Sequence, residues 1–236
     1  WTAMRLALPV LRRTAPRGDG GPVMVVPGFA TDDDWTESLR RFLADIGHDV
    51  HGWGLGRNHG RVADLIPKLA DRTARLAGTA GRRVRLVGWS LGGIYARELA
   101  WMAPEDVRQV ITLGTPIRHA RAVTVSWLYE DVTGQRESHM DPDLLARVPE
   151  PPPVPSTTVY SRTDGVVPWQ CAIDKEAEQT ENVRVEGSHI GLGFHPAVLW
   201  VIADRLAQPE GEWRPFNRKG IKSLVYPRPD RLPPGI

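Results

Sequence analysis

Ser90 stands in Gly88-Trp-Ser-Leu-Gly92, with Val84, Leu86 and Val87 before it and Ile94, Tyr95, Leu99 and Met102 at helical spacing after it. The two glycines let a strand and a helix approach closely around a sharp turn, so the serine takes a strained backbone and its hydroxyl projects outward. The helix that follows offers free N–H groups and the positive end of its dipole where an oxyanion would develop. Such an arrangement suits attack on a carbonyl carbon to leave an acyl-serine. A serine hydroxyl is a poor nucleophile near neutral pH, so it needs a base, and the base needs an orienting group. On an open parallel sheet both belong at the carboxyl ends of later strands. Asp164 meets that requirement in Val159-Tyr-Ser-Arg-Thr-Asp-Gly-Val-Val-Pro168, and His189 meets it in Val185-Glu-Gly-Ser-His-Ile-Gly191. The expected oxyanion donors are the backbone N–H groups of Leu91 and of Phe29, the latter in Pro27-Gly28-Phe29.

Each of these residues has a plainer alternative. The glycine-flanked serine also fits an ordinary turn before a helix, and Asp164 ahead of Gly165 also fits a simple turn. His195 is the nearest rival for the base, but it sits beside Pro196 at the start of a helix, where capping is the commoner role. His48, His51, His59, His119 and His139 have no matching strand-end position. His48, Asp49 and His51, or His139 with Asp141, lack a third partner at recognised ligand spacing, so neither a metal nor a cofactor is expected.

The surrounding pattern supplies the elements that would hold these groups. Pro22–Val26 reads as the first buried strand, ended by Pro27-Gly28-Phe29. Thr31 and Asp34 suggest a capping box for a helix carrying Trp35, Leu39, Phe42, Leu43 and Ile46 on one face, stopped by Gly47. A strand from His48 to Trp53 and a helix from Val62 to about Ala77 follow, the latter with a kink or a late start at Pro67. After the Ser90 strand and helix, Val107–Leu113 gives another buried strand. This alternation indicates a mostly parallel sheet with helices on both faces. Between Ile117 and Ser156 the pattern lapses around Trp127-Leu-Tyr129, which suggests a small cap. Trp127, Leu128 and Tyr129, with Trp89 beside the serine, are the expected substrate wall. Thr157–Tyr160 resumes as a strand, Gln170–Gln179 reads as a helix, Val183–Val185 as a last strand and Pro196–Leu206 as a last helix. The opening stretch with Arg12, Arg13 and Arg17 reads as polar, and the Pro- and Arg-rich tail from Pro209 is expected to lie on the body through Trp213, Phe216, Leu224 and Tyr226.

Composition is consistent with one domain spanning residues 1–236: 41% of the 236 residues are hydrophobic and 25% charged, enough to bury a sizeable core. A formal net charge of +2 without a run of five basic residues disfavours nucleic acid as a partner; the expected partner is instead the small ester or acyl compound that a Ser90 nucleophile would attack. Cys171 is the only cysteine, so no intrachain disulfide forms and a reducing compartment is permitted. No apolar run reaches the length of a transmembrane helix. Because the chain opens on Trp1 rather than Met, the reading leaves room for residues upstream, including a removed signal.

These pieces together resemble an α/β-hydrolase of the lipase/esterase kind, from about Pro22 to Leu206. The resemblance rests on Pro27-Gly28-Phe29, on Gly88-Trp-Ser-Leu-Gly92, on Ile111-Thr-Leu-Gly-Thr-Pro116 and on the chain order Ser90, Asp164, His189. It departs in having Pro27 where such enzymes often carry histidine, and the tail beyond Pro209 falls outside it. The resemblance implies a serine hydrolase acting on carboxylic esters, with an acyltransferase on the same scaffold as one alternative and a non-catalytic binding protein as another.

Overall fold

The computed structural model describes residues 2–118 and 142–231. Six strands are present among them: β1 (Pro22–Val26), β2 (Asp49–Gly52), β3 (Val84–Trp89), β4 (Val107–Leu113), β5 (Ser156–Ser161) and β6 (Thr180–Val185). They form one sheet in the order β2-β1-β3-β4-β5-β6, with every neighbouring pair parallel. Since β1 lies between β2 and β3, the winding reverses at β1 and β3, and a crevice opens beyond their carboxyl ends. That is where Gly28 and Ser90 fall.

The helices are α1 (Thr2–Thr14), α2 (Asp33–Asp45), α3 (Val62–Ala80), α4 (Leu91–Met102), α5 (Pro142–Arg147), α6 (Trp169–Ala172), α7 (His189–Leu192) and α8 (Pro196–Leu206), with a 3-10 turn at Gly220–Leu224. Alternate strand residues serve opposite layers, as the two-residue strand period requires. Val23, Val25, Val87 and Trp89 pack with Leu39 and Phe42 of α2 and Val198 and Ile202 of α8. Met24, Val26 and Leu86 pack with Ile66 and Leu69 of α3 and Tyr95 and Leu99 of α4. β1, β3, β4 and β5 are buried along their whole length, and only β1 reads as a continuous apolar run; β3, β4 and β5 also bury Arg85, Arg108, Gln109, Thr112 and Ser156 to Thr158.

Several local expectations are corrected. The opening stretch is helical: α1 runs from Thr2 to Thr14, buries Leu11 at its end and joins α2 through Arg12 and Asp45 at 2.7 Å. Its apolar face was hidden by Pro9 and by two consecutive arginines. Asp32, not Thr31, caps α2, accepting from the Asp34 N–H at 3.1 Å. Thr31 instead turns its hydroxyl back to the Gly28 carbonyl at 2.8 Å, closing the turn after β1. Pro67 lies inside α3, which starts at Val62 and runs unbroken to Ala80. The missing proline N–H removes one bond near the start, and the buried Ile66, Leu69, Thr73 and Ala77 hold the remainder. The helix expected over Gln170–Gln179 is the four-residue α6, because Asp174 leaves the helical path to meet Arg97 and Asn182. The β6 strand starts earlier than expected, at Thr180, paired to Ser156. In the tail, Phe216 and Tyr226 are buried edge to face at 4.8 Å, and the Tyr226 hydroxyl donates to the Ala197 carbonyl. Among the described residues no helix is long and apolar enough to cross a membrane.

Candidate active site

Ser90 directly follows β3 and stands immediately ahead of α4, with φ 54° and ψ −124°. A non-glycine residue at positive φ is strained, and such strain persists only where neighbouring contacts impose it. Here the Ser90 N–H donates to the Leu113 carbonyl at 2.8 Å, and the Ser90 carbonyl accepts from the Thr115 hydroxyl at 2.9 Å. The flanking glycines are required by space: a Cβ on Gly88 would collide with the backbone of Gly92 and Gly93, and one on Gly92 with the Val26 carbonyl. The turn after β1 abuts the serine, since a Cβ on Gly28 would lie 3.2 Å from Ser90 Cβ and 3.8 Å from its Oγ.

Asp164 follows β5 and divides its two carboxylate oxygens. Oδ1 accepts from the Val166 and Val167 N–H groups, each at 2.8 Å, and Oδ2 lies 2.7 Å from His189 Nδ1. The carboxylate side chain is 2% exposed and the imidazole 11%. Three backbone-directed bonds tie the two loops together: Gly187 N–H to Ser161 Oγ, Gly187 N–H to Thr163 Oγ1, and Thr163 Oγ1–H to the Gly187 carbonyl. Gly114, at φ 54°, passes beside the pair; a Cβ there would sit 3.0 Å from Asp164 Oδ2 and 3.1 Å from His189 Nδ1. Ser90 and the imidazole–carboxylate pair thus flank the same Leu113-Gly114-Thr115 segment. With Nδ1 committed to the carboxylate, Nε2 is the ring nitrogen left for proton transfer.

The remaining residues singled out from the sequence take distinct places. His195 caps α8, its Nδ1 accepting from the Ala197 N–H at 3.1 Å, and burial lowers its pKa. Trp89 is 5% exposed. It packs edge to face on Phe194 at 5.9 Å and donates its indole N–H to the His189 carbonyl at 3.2 Å, so its contacts support the histidine loop. Phe29 and Leu91 are half-buried on either side of Ser90, one after β1 and the other opening α4. Trp127, Leu128 and Tyr129 lie outside the described residues. A cavity of about 1210 Å³ lies away from these groups, between β6 and the tail, lined among others by Glu181, Asn182, Arg218 and Tyr226. Sequence reasoning assigned no role to Thr115; its only signal was the Ile111–Pro116 stretch.

No protein-family model matches the chain. In structure it is similar to a lipase-esterase related protein from Clostridium acetobutylicum, with TM-score 0.60 and 15% identity over 81% of this chain and 98% of that one. It is similar also to a mature lipase from Bacillus licheniformis, with TM-score 0.61 and 16% identity over 82% of this chain and 94% of that one. The chain has the α/β-hydrolase fold. In sequence, the chain resembles the pimeloyl-[acyl-carrier protein] methyl ester esterase of Yersinia pseudotuberculosis, 34% identical over 67 residues. That match covers 28% of this chain and 24% of the relative, so the chain spans about a quarter of the curated relative it matches.

Proposed function

We propose that this chain is a serine hydrolase that cleaves carboxylic esters through an acyl-enzyme. The observation that carries the reading is the 2.7 Å contact between Asp164 Oδ2 and His189 Nδ1 beside a Ser90 held at φ 54° on the adjoining strand end. His189 takes the proton of the Ser90 hydroxyl as its oxygen attacks the ester carbonyl, and returns it to the leaving alkoxide. The same ring then activates water, which releases the acid and regenerates Ser90. Asp164 holds the imidazole in the tautomer with Nδ1–H and stabilises the imidazolium. The N–H groups of Phe29 and Leu91 bind the oxyanion, Leu91 as one of the first residues of α4, whose N–H groups lack helical partners. The comparison proteins are named for ester cleavage, which supports the bond type.

The reading is tested by treating the protein with a fluorophosphonate, mapping the adduct, and assaying p-nitrophenyl esters with and without benzyl alcohol. Adduct at Ser90, and a Ser90→Ala protein that folds but loses several orders of magnitude in turnover, is the expected result. Transfer product saturating at millimolar alcohol would replace hydrolysis with acyl transfer. A stable Ser90→Ala variant with most of the turnover would remove the serine mechanism.

A further inference from the structure

Asn58 lies in the polar loop between β2 and α3, where nothing in its local sequence distinguishes it, yet it is fully buried. Its Nδ2 donates to the Pro27 carbonyl at 2.9 Å. Its Oδ1 accepts from the Gly60 N–H at 3.0 Å and from the Tyr95 hydroxyl at 3.1 Å. Its backbone adds two more bonds: the Asn58 N–H donates to the Thr31 carbonyl at 2.7 Å, and the Asn58 carbonyl accepts from the Ala30 N–H at 2.8 Å. The amide orientation follows from its partners, because a carbonyl can only accept and the Gly60 N–H can only donate.

These bonds bracket Phe29. Pro27 is held on one side, Ala30 and Thr31 on the other, and Ala30 is itself at φ 60°, a conformation that relaxes unless imposed. Arg57 adds a bond from its Nε–H to the Ala30 carbonyl at 2.9 Å. Tyr95 brings in the second half of the site. It follows Leu91 by four residues on α4, so the two share one helix face. One side chain therefore references the turn carrying the Phe29 N–H and the helix carrying the Leu91 N–H to each other.

We infer that Asn58, with Tyr95, is a positioning residue that sets the spacing and aim of the two oxyanion-binding N–H groups. The inference rests on the serine-hydrolase reading above. An oxyanion hole acts through donors placed for the transition state, so loosening their support lowers turnover without weakening ground-state binding. Misplacement by a fraction of an ångström is costly at such a site.

The test uses Tyr95→Phe and Asn58→Asp, each close in shape to the parent, and Asn58→Ala. For each, kcat and KM are measured on a p-nitrophenyl ester, with the inhibition constant of an alkyl trifluoromethyl ketone, which forms a tetrahedral oxyanion on the serine, and that of a ground-state ester analogue. Tyr95→Phe is expected to lower kcat about tenfold and Asn58→Asp about a hundredfold, the range for a displaced oxyanion donor. KM and the ground-state constant stay within about twofold, while the ketone constant rises in step with the loss of kcat/KM. If Asn58→Ala fails to fold, Tyr95→Phe decides. A folded Tyr95→Phe with wild-type kcat and ketone affinity overturns the inference, as does a loss that appears equally in both inhibitors. If the wild-type protein takes no fluorophosphonate on Ser90, the underlying functional reading falls first; a labelled wild type with unaffected variants sinks the positioning role alone.

Discussion

Trp89 donates its indole N–H to the carbonyl of His189 at 3.2 Å, across 100 residues of chain. The strand that leads into Ser90 thereby also holds the backbone of the histidine expected to serve it. Trp89→Phe keeps an aromatic ring against Phe194 and deletes this one bond, costing about 1 kcal/mol of stability. Turnover should fall severalfold with no change in preference among p-nitrophenyl esters of different chain length. A shifted chain-length profile would instead make Trp89 part of the substrate wall.

The contact of Asp164 with His189, and the capping bond of His195, separate the two candidate bases. His189→Ala and Asp164→Asn should each lower kcat by about 10³- to 10⁴-fold, the second by favouring the wrong tautomer. His195→Ala should keep most of the activity and lose about 1 kcal/mol of stability as the α8 cap goes. Steady-state kinetics beside urea unfolding of the three variants gives the answer, and an inactive, well-folded His195→Ala would reverse the assignment.

Arg97 on α4 pairs with Asp174 at 2.5 Å with both side chains buried, and it also donates to the carbonyls of Val148 and Glu150. The helix behind Ser90 is thus clamped to the chain that enters β5 and to the chain that precedes β6. Arg97→Met strands a buried carboxylate and should cost about 3 to 5 kcal/mol. The double change Arg97→Met with Asp174→Leu should recover part of that loss, because the stranded charge is gone. Urea midpoints of the single and double variants form the cycle; no recovery in the double variant would mean the carbonyl bonds dominate.

His48 is 6% exposed at the opposite end of the sheet, near Arg85, Arg108 and Asp19. Burial first, and then the charge of Arg85, push its pKa from the ordinary 6.5 down to about 4. Above about pH 6.5 the ring is neutral in both folded and unfolded chains. Between about 6.5 and 4 only the unfolded chain takes the proton, so stability falls across that window and levels off below it, by about 2 kcal/mol after allowance for solvent screening. Asp19 acts lower. Burial raises its pKa, but the bond from the Gly21 N–H and the charge of Arg85 outweigh that and hold it well below the usual carboxylate range, so its contribution is lost only beneath its ordinary value of 3.8. Urea unfolding at pH 7.5, 5.5 and 4.5 should show the drop in wild type and a smaller one in His48→Leu, where His195, whose pKa burial also lowers, still contributes; parallel curves would place the acid sensitivity elsewhere.

The strand, elbow and helix around Ser90 were legible because they are local: an apolar run, two glycines and a helical period lie within twenty residues. Asp164 and His189 were legible for a similar reason, each following a short strand in a polar, glycine-bearing turn. Six parallel strands came from the alternation of short strands with helices, which calls for a parallel sheet covered on both faces. The sequence did not mark α1, where Pro9 and the arginines mask the apolar face, or the early end of α6, which Asp174 forces by turning toward Arg97. Neither could it single out Gly114, Thr115 or Asn58. Gly114 matters because Asp164 and His189 close around it, Thr115 because β4 lies beside β3, and Asn58 because the β1 turn and α4 converge on its amide. The chain's local patterns determined which side chains could do the chemistry. Their spacing, and the supports that hold it, depend on parallel pairing between strands distant in sequence, which only the folded sheet brings together.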